Sequence, residues 1–265
     1  MRGAALITAA VTLAVFGISQ GDVLGWTSLP VTGALVAAVA AGACFVIAET
    51  RHPRPLIRPR LLLLPGLRNG ASLAFLLGVW NGGELLVLSL YMQQVLHFSP
   101  LETGAVIAPQ GVAGFTMGIL GPRLAGKLGG RRVLVLAGAA AAVGFTVLTR
   151  LPAAGYSPLL MVLLLVGFGG AGTAFGSIVL ASRELADGDQ GLAGGVINTS
   201  RQVGAAVGAA LLPAVAESVS AGSAGTSGVT GDRAAMLTAA IAALVATAVA
   251  WNAARSAGAP LRSAA

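Results

Sequence analysis

Two ionisable side chains, Glu84 and Arg201, stand inside long apolar runs of this 265-residue sequence. A charge at the centre of a membrane-inserted helix costs on the order of 2.5–3.5 kcal/mol, so such residues mark candidate sites. Glu84 has Asn81 about one helical turn before it and Tyr91 two turns after, all near one face. Two readings of Glu84 stay open: a cavity residue that binds protons or a cationic substrate, and a protonated carboxyl satisfied by a neighbouring helix. Arg201 belongs to the polar run Asn198-Thr199-Ser200-Arg201-Gln202. It lies roughly 15 Å from the nearer end of its apolar stretch, which is deep for snorkelling and predicts a structural anchor between helices. Gln110, beside Pro109, is a third embedded polar group, without charge.

Other chemistries lack their residues. His52 and His97 fall on opposite sides of the membrane in the topology below, so they cannot share one metal. No glycine-rich loop ends in Gly-Lys-Ser/Thr, which argues against an ATP-driven subunit. No aspartate cluster could hold Mg²⁺ and a diphosphate. The sequence reads as a non-enzyme that needs no bound cofactor; a membrane-embedded enzyme has no residue in its favour.

The elements that must position these groups follow from composition. Hydrophobic residues make up 56% of the chain and charged ones 9%, against about 25% charged in an average soluble domain. Mean hydropathy is +0.86. A soluble globule of this length could not cover its surface, so the fold class is an all-α polytopic membrane protein. Eight stretches reach or approach the ~20 apolar residues a bilayer core needs. They are Gly3–Ser19, Val31–Ala48, Asn69–Met92, Gly104–Leu120, Val133–Thr149, Pro158–Leu180, Gly191–Ala216 and Ala234–Trp251. Their apolar runs are continuous rather than alternating, which selects helices over barrel strands. The lone cysteine, Cys44, falls in the second run and is expected to be a small buried hydrophobe.

The net charge of +7 would suggest nucleic acid in a soluble chain. Here it reads as topology, with no nucleic-acid partner. With the N-terminus inside, thirteen of the 16 lysines and arginines fall on the cytoplasmic side, Arg150 and Arg233 fall outside, and Arg201 is embedded. This predicts a multi-pass cell-membrane protein with both termini cytoplasmic. The first run lacks a small-residue cleavage site after it, so it is expected to remain as a span. Most loops are short. The exceptions are the basic Glu49–Arg68 connection and the Ser/Gly-rich Glu217–Arg233 loop, which is expected to be flexible.

Glycines recur four apart at Gly78/Gly82, Gly114/Gly118, Gly172/Gly176, Gly191/Gly195 and Gly204/Gly208. Lipid tails are as apolar as leucine, so membrane helices associate through close packing, which such pairs permit. Tight packing is the expected role of most of them; some could line surfaces that rock past one another.

Three stretches together resemble one family. Residues 91–104, YMQQVLHFSPLETG, and 192–208, LAGGVINTSRQVGAAVG, are similar to signature motifs of the 14-helix drug:proton antiporters of the major facilitator superfamily. Residues 124–132, LAGKLGGRR, resemble the superfamily's basic cytoplasmic loop motif, with Lys127, Gly129, Arg131 and Arg132 as its matching positions. Asn198, Arg201 and Gln202 are the matching polar residues of the seventh span. Two positions depart: Gly126 stands where the loop motif has an acidic residue, and His97 where the family has glycine.

The resemblance implies two linker helices over residues 1–48, a basic loop over 49–68, a six-helix C-terminal transporter half over 69–254 and a tail over 255–265. It implies efflux of small amphipathic, often cationic compounds in exchange for protons, within membrane lipid. Asn81, Glu84 and Gln110 are the expected cavity residues. The family's other six-helix half, with its proton-coupling acidic residue, has no counterpart in the sequence. The chain is therefore expected to be incomplete by itself and to need a separate N-terminal half; the alternatives are an inactive remnant or an interaction subunit.

Overall fold

A capping box starts the fourth helix, and it shows how local chemistry sets an element's bounds here. Ser99 Oγ accepts the backbone N–H of Glu102, the Glu102 carboxylate accepts the Ser99 N–H at 2.8 Å, and Pro100 takes the first helical position. The computed structural model describes residues 2–25, 27–50, 61, 63–152, 161–183, 185–222 and 229–256. They form eight long helices: α1 (Arg2–Leu24), α2 (Leu29–Thr50), α3 (Pro65–Leu90), α4 (Pro100–Leu128), α5 (Gly130–Leu148), α6 (Leu163–Ser182), α7 (Gln190–Gly222) and α8 (Val229–Ser256). Each corresponds to one of the eight apolar runs, and no strand occurs among the described residues. By length and composition, seven segments are able to cross a membrane, one in each of α2 to α8. The remaining helix, α1, has 23 residues.

The helices overrun the apolar stretches at most ends. Two loop expectations change accordingly. Glu49 and Thr50 close α2, and Pro65–Arg68 open α3, so the basic connection is shorter than 49–68. Glu217–Gly222 continue α7 and Val229–Arg233 begin α8, so both flanks of the expected flexible loop are helical. Residues 51–60 and 223–228, and with them His52, lie outside the described residues.

The chain divides into two units, Met1–Leu61 and Leu62–Ala265. In the first, α1 packs on α2 around Val31, which is fully buried, and Gly17 leaves room for the Leu35 side chain. Cys44 is exposed, contrary to the buried role expected of it. The reason is that α2 has α1 as its partner in this unit and leaves its other faces uncovered.

In the second unit α3 is central, packing on α7, α8 and α6, while α5 packs on α6 and α8. The α3–α7 contact is a glycine seam. A Cβ on Gly78 would fall on the Arg201 carbonyl, one on Gly82 on the Ala205 carbonyl, and those on Gly204 and Gly208 on the carbonyls of Phe75 and Val79. The two helices therefore touch backbone to backbone, the close approach that small residues allow in lipid. Gly172 and Gly176 of α6 instead make room for the Ala137 and Leu134 side chains of α5. The pairs Gly114/Gly118 and Gly191/Gly195 do not pack in this way: nothing lies within 4 Å of a Cβ on Gly118, Gly191 or Gly195. Trp80 and Phe145, both fully buried, meet at 6.3 Å and join α3 to α5.

At its end α3 widens into a π turn, Tyr91–Val95. The chain then turns at His97, whose φ of 57° is in the left-handed region. This is the position where glycine would be unstrained. Gly129, with φ of 85°, makes the corresponding sharp turn between α4 and α5.

Candidate functional site

The polar residues singled out in the spans converge. A cleft of about 460 Å³ opens between α3, α4, α6 and α7, and Asn81, Gln110 and Arg201 all line it. Gly111 and Gly114 of α4 and Gly170 of α6 line it without side chains, while Gly167 of α6 marks its edge, where a Cβ would fall on the Gln110 carbonyl of α4. A Cβ on Gly114 would stand 4.0 Å from the nearest neighbours, so this glycine borders the cleft rather than sealing a helix contact. Pro109, inside α4, removes a backbone N–H one residue before Gln110.

Glu84 is fully buried and is not part of the cleft wall. It sits behind Gln110, whose Nε2 donates to Glu84 Oε2 at 3.2 Å, from α4 to α3. The second carboxyl oxygen of Glu84 and the Oε1 of Gln110 have no hydrogen-bond partner. A neutral carboxyl has one O–H to donate, and the vacant Gln110 oxygen is an acceptor of the right kind. The pair therefore has the chemistry to hold a proton between two helices. A neighbouring helix thus binds Glu84, and the residue that binds it lines the cleft while Glu84 itself does not.

Tyr91 does not join this group. Its hydroxyl donates to the Pro152 carbonyl at 2.9 Å and ties the end of α3 to the segment after α5. Arg233 braces the same segment from α8, donating through Nε to the Leu151 carbonyl at 2.9 Å.

Arg201 uses one guanidinium nitrogen, Nη2, which donates to Asn198 Oδ1 at 2.9 Å within α7 itself. The interhelical anchoring expected of its side chain is thus supplied instead by its backbone carbonyl against Gly78. Asn198 and Gln202 are exposed, and neither lines the cleft. The loop-motif residues are elsewhere. Gly129 ends α4, roughly 28 Å along the helix from Gln110. Lys127, Arg131 and Arg132 are exposed, and the Arg131 guanidinium stacks 4.7 Å above the Trp251 ring of α8. That cation–π contact escapes sequence reasoning, because 120 residues separate its partners. So does the glycine lining of α6, although its run GFGGAG was visible as an unusual density of small residues.

Residues 1–209 match the Major Facilitator Superfamily. Over 235 residues the chain is 34% identical to the cephamycin export protein of Amycolatopsis lactamdurans, covering 84% of this chain and 47% of that one. It is 32% identical over 204 residues to the puromycin resistance protein of Streptomyces alboniger, covering 74% of this chain and 40% of the relative. The tetracenomycin C resistance and export protein of Streptomyces glaucescens is 31% identical over 223 residues, with 80% and 40% covered. The chain spans less than half the length of each of these curated relatives.

Proposed function

Because the chain belongs to the Major Facilitator Superfamily, we propose that it is the C-terminal bundle, with two linker helices, of a 14-helix drug:proton antiporter that exports small amphipathic molecules. The observation that carries this reading is the cleft of about 460 Å³ whose wall residue Gln110 holds the buried Glu84. A pocket of that size suits a drug-sized ligand. A carboxyl held one residue behind its wall is a group that can take up and release a proton as the cavity fills. The relatives named for export and resistance support the direction of transport.

Transport by alternating access needs one bundle to rock against another around a central site. The chain supplies one such bundle, and a second set of six helices completes the transporter. It works in the cell membrane with both termini cytoplasmic, a reading supported by the distribution of its arginines and lysines.

The test is made on the complete two-bundle transporter in liposomes, with drug transport driven by an imposed pH gradient. Glu84→Gln keeps the size and hydrogen-bonding capacity but removes the titratable group. Gradient-driven transport is expected to collapse with folding intact. Transport whose pH dependence survives the substitution would make Glu84 a packing residue.

A further inference from the structure

The cleft wall carries one accessible charge, and it is positive. Arg201 lies about 17 Å along α7 from its start, opposite the middle of α3. A guanidinium has five N–H donors. One is used on Asn198, and the others meet no acceptor among the described residues. No described carboxylate forms an ion pair with it: Glu84, the one acid in the region, is fully buried and engaged by Gln110. Arg201 is part-buried, and a guanidinium with open donors midway along a membrane helix is a ready partner for an anion.

Resting on the efflux reading above, we propose that the counter-ion is the transported compound: an amphipathic organic anion whose carboxylate docks on Arg201 in the cleft. The guanidinium fork matches a carboxylate with two parallel hydrogen bonds. Asn198 holds the fork from its own helix, so its free edge is pre-oriented. Asn81 and Gln110 add polar groups to the same wall, and Leu77, Leu85 and Ile107 give the apolar body of the ligand a surface. A cationic compound finds no accessible carboxylate on this wall, which reverses the charge preference expected from Glu84 alone.

The experiment uses the 265-residue chain in phosphatidylcholine nanodiscs and two probes of matched shape, 2-naphthoate and 2-naphthylmethylammonium, in equilibrium dialysis. The wild type is expected to bind the naphthoate saturably and about tenfold more tightly than the ammonium, the difference one charge-assisted contact provides. Arg201→Gln should bring the two within about twofold, and Arg201→Lys should keep their order. Equal binding, preference for the ammonium, absence of saturable naphthoate binding, or unchanged naphthoate affinity in Arg201→Gln would each overturn the proposal. The wild-type preference needs no variant, so the proposal stands or falls even if Arg201→Gln does not fold. Export of neutral or cationic drugs by the two-bundle transporter without naphthoate preference would refute the anion assignment and leave the efflux reading intact. Naphthoate preference without export of any compound would do the reverse.

Discussion

Gln110 of α4 donates a hydrogen bond to Glu84 of α3 across a boundary where the two helices are not packed backbone to backbone. Consecutive helices usually meet along their length, but here this buried bond, just behind the cleft wall, is the side-chain hydrogen bond that ties them. The bond therefore matters both to stability and to the shape of the cavity.

Its strength is open to a double-mutant cycle. Gln110→Leu leaves a fully buried carboxyl with no partner, which is expected to cost about 1–3 kcal/mol. Glu84→Leu together with Gln110→Leu removes both polar groups and should recover most of that loss. Chemical denaturation in detergent measures the cycle; additive effects of the two single changes would show that the bond contributes nothing.

The glycine pairs should separate into two classes. Gly208→Ala drives a methyl group onto the Val79 carbonyl, and Gly78→Ala drives one onto that of Arg201. Each is expected to lower stability by about 1–3 kcal/mol through overpacking. Gly118→Ala and Gly195→Ala, where a methyl meets open space, should be neutral or gain up to about 1 kcal/mol from helix propensity. Melting temperatures of the purified variants decide between the classes.

His97 offers a test at a turn. Its left-handed backbone disfavours an L-residue by about 1–2 kcal/mol, while glycine adds roughly 0.4–1 kcal/mol of unfolded-chain freedom. His97→Gly is expected to raise stability by about 0.5 kcal/mol, the balance of those two effects. His97→Val should lower it by more than about 1 kcal/mol, because a β-branched residue is an outlier there. A thermal shift of the same sign for both substitutions would contradict the strain account.

Reporter fusions test the topology. Fusions at the C-terminus and in the Arg51–Arg68 connection are expected to report cytoplasm, and one within Glu217–Arg233 the outside. A C-terminal fusion active on the outside would overturn the arrangement of eight spans.

Much of this was legible from residue types alone. Charges and amides are expensive in lipid, so Asn81, Gln110 and Arg201 had few places to go, and they share one cleft. The eight apolar runs became eight helices for the same reason. Helical spacing assigns a face but not the neighbour on it. It grouped Tyr91 with Glu84, although the Tyr91 hydroxyl serves Pro152, and it could not show that Gln110 stands between Glu84 and the cleft. The exposure of Cys44 depends on how few helices cover α2, which composition does not encode. The start of α4 is a purely local signal, since Ser99 and Glu102 have the S-x-x-E spacing of a capping box.

The seam between α3 and α7 has a mechanical consequence. Its knobs are carbonyls and its sockets are glycines spaced four residues apart, so the next matching register lies one step of roughly 6 Å away. No gradual slip is available, and the two helices must travel as one strut. α4 has no such lock on α3: a Cβ on Gly111 or Gly118 would meet nothing within 4 Å. What locks α4 lies on its other side, where a Cβ on Gly167 of α6 would fall on the Gln110 carbonyl; α4 thus moves with α6, and the Gln110–Glu84 bond is its side-chain tie to the α3–α7 strut.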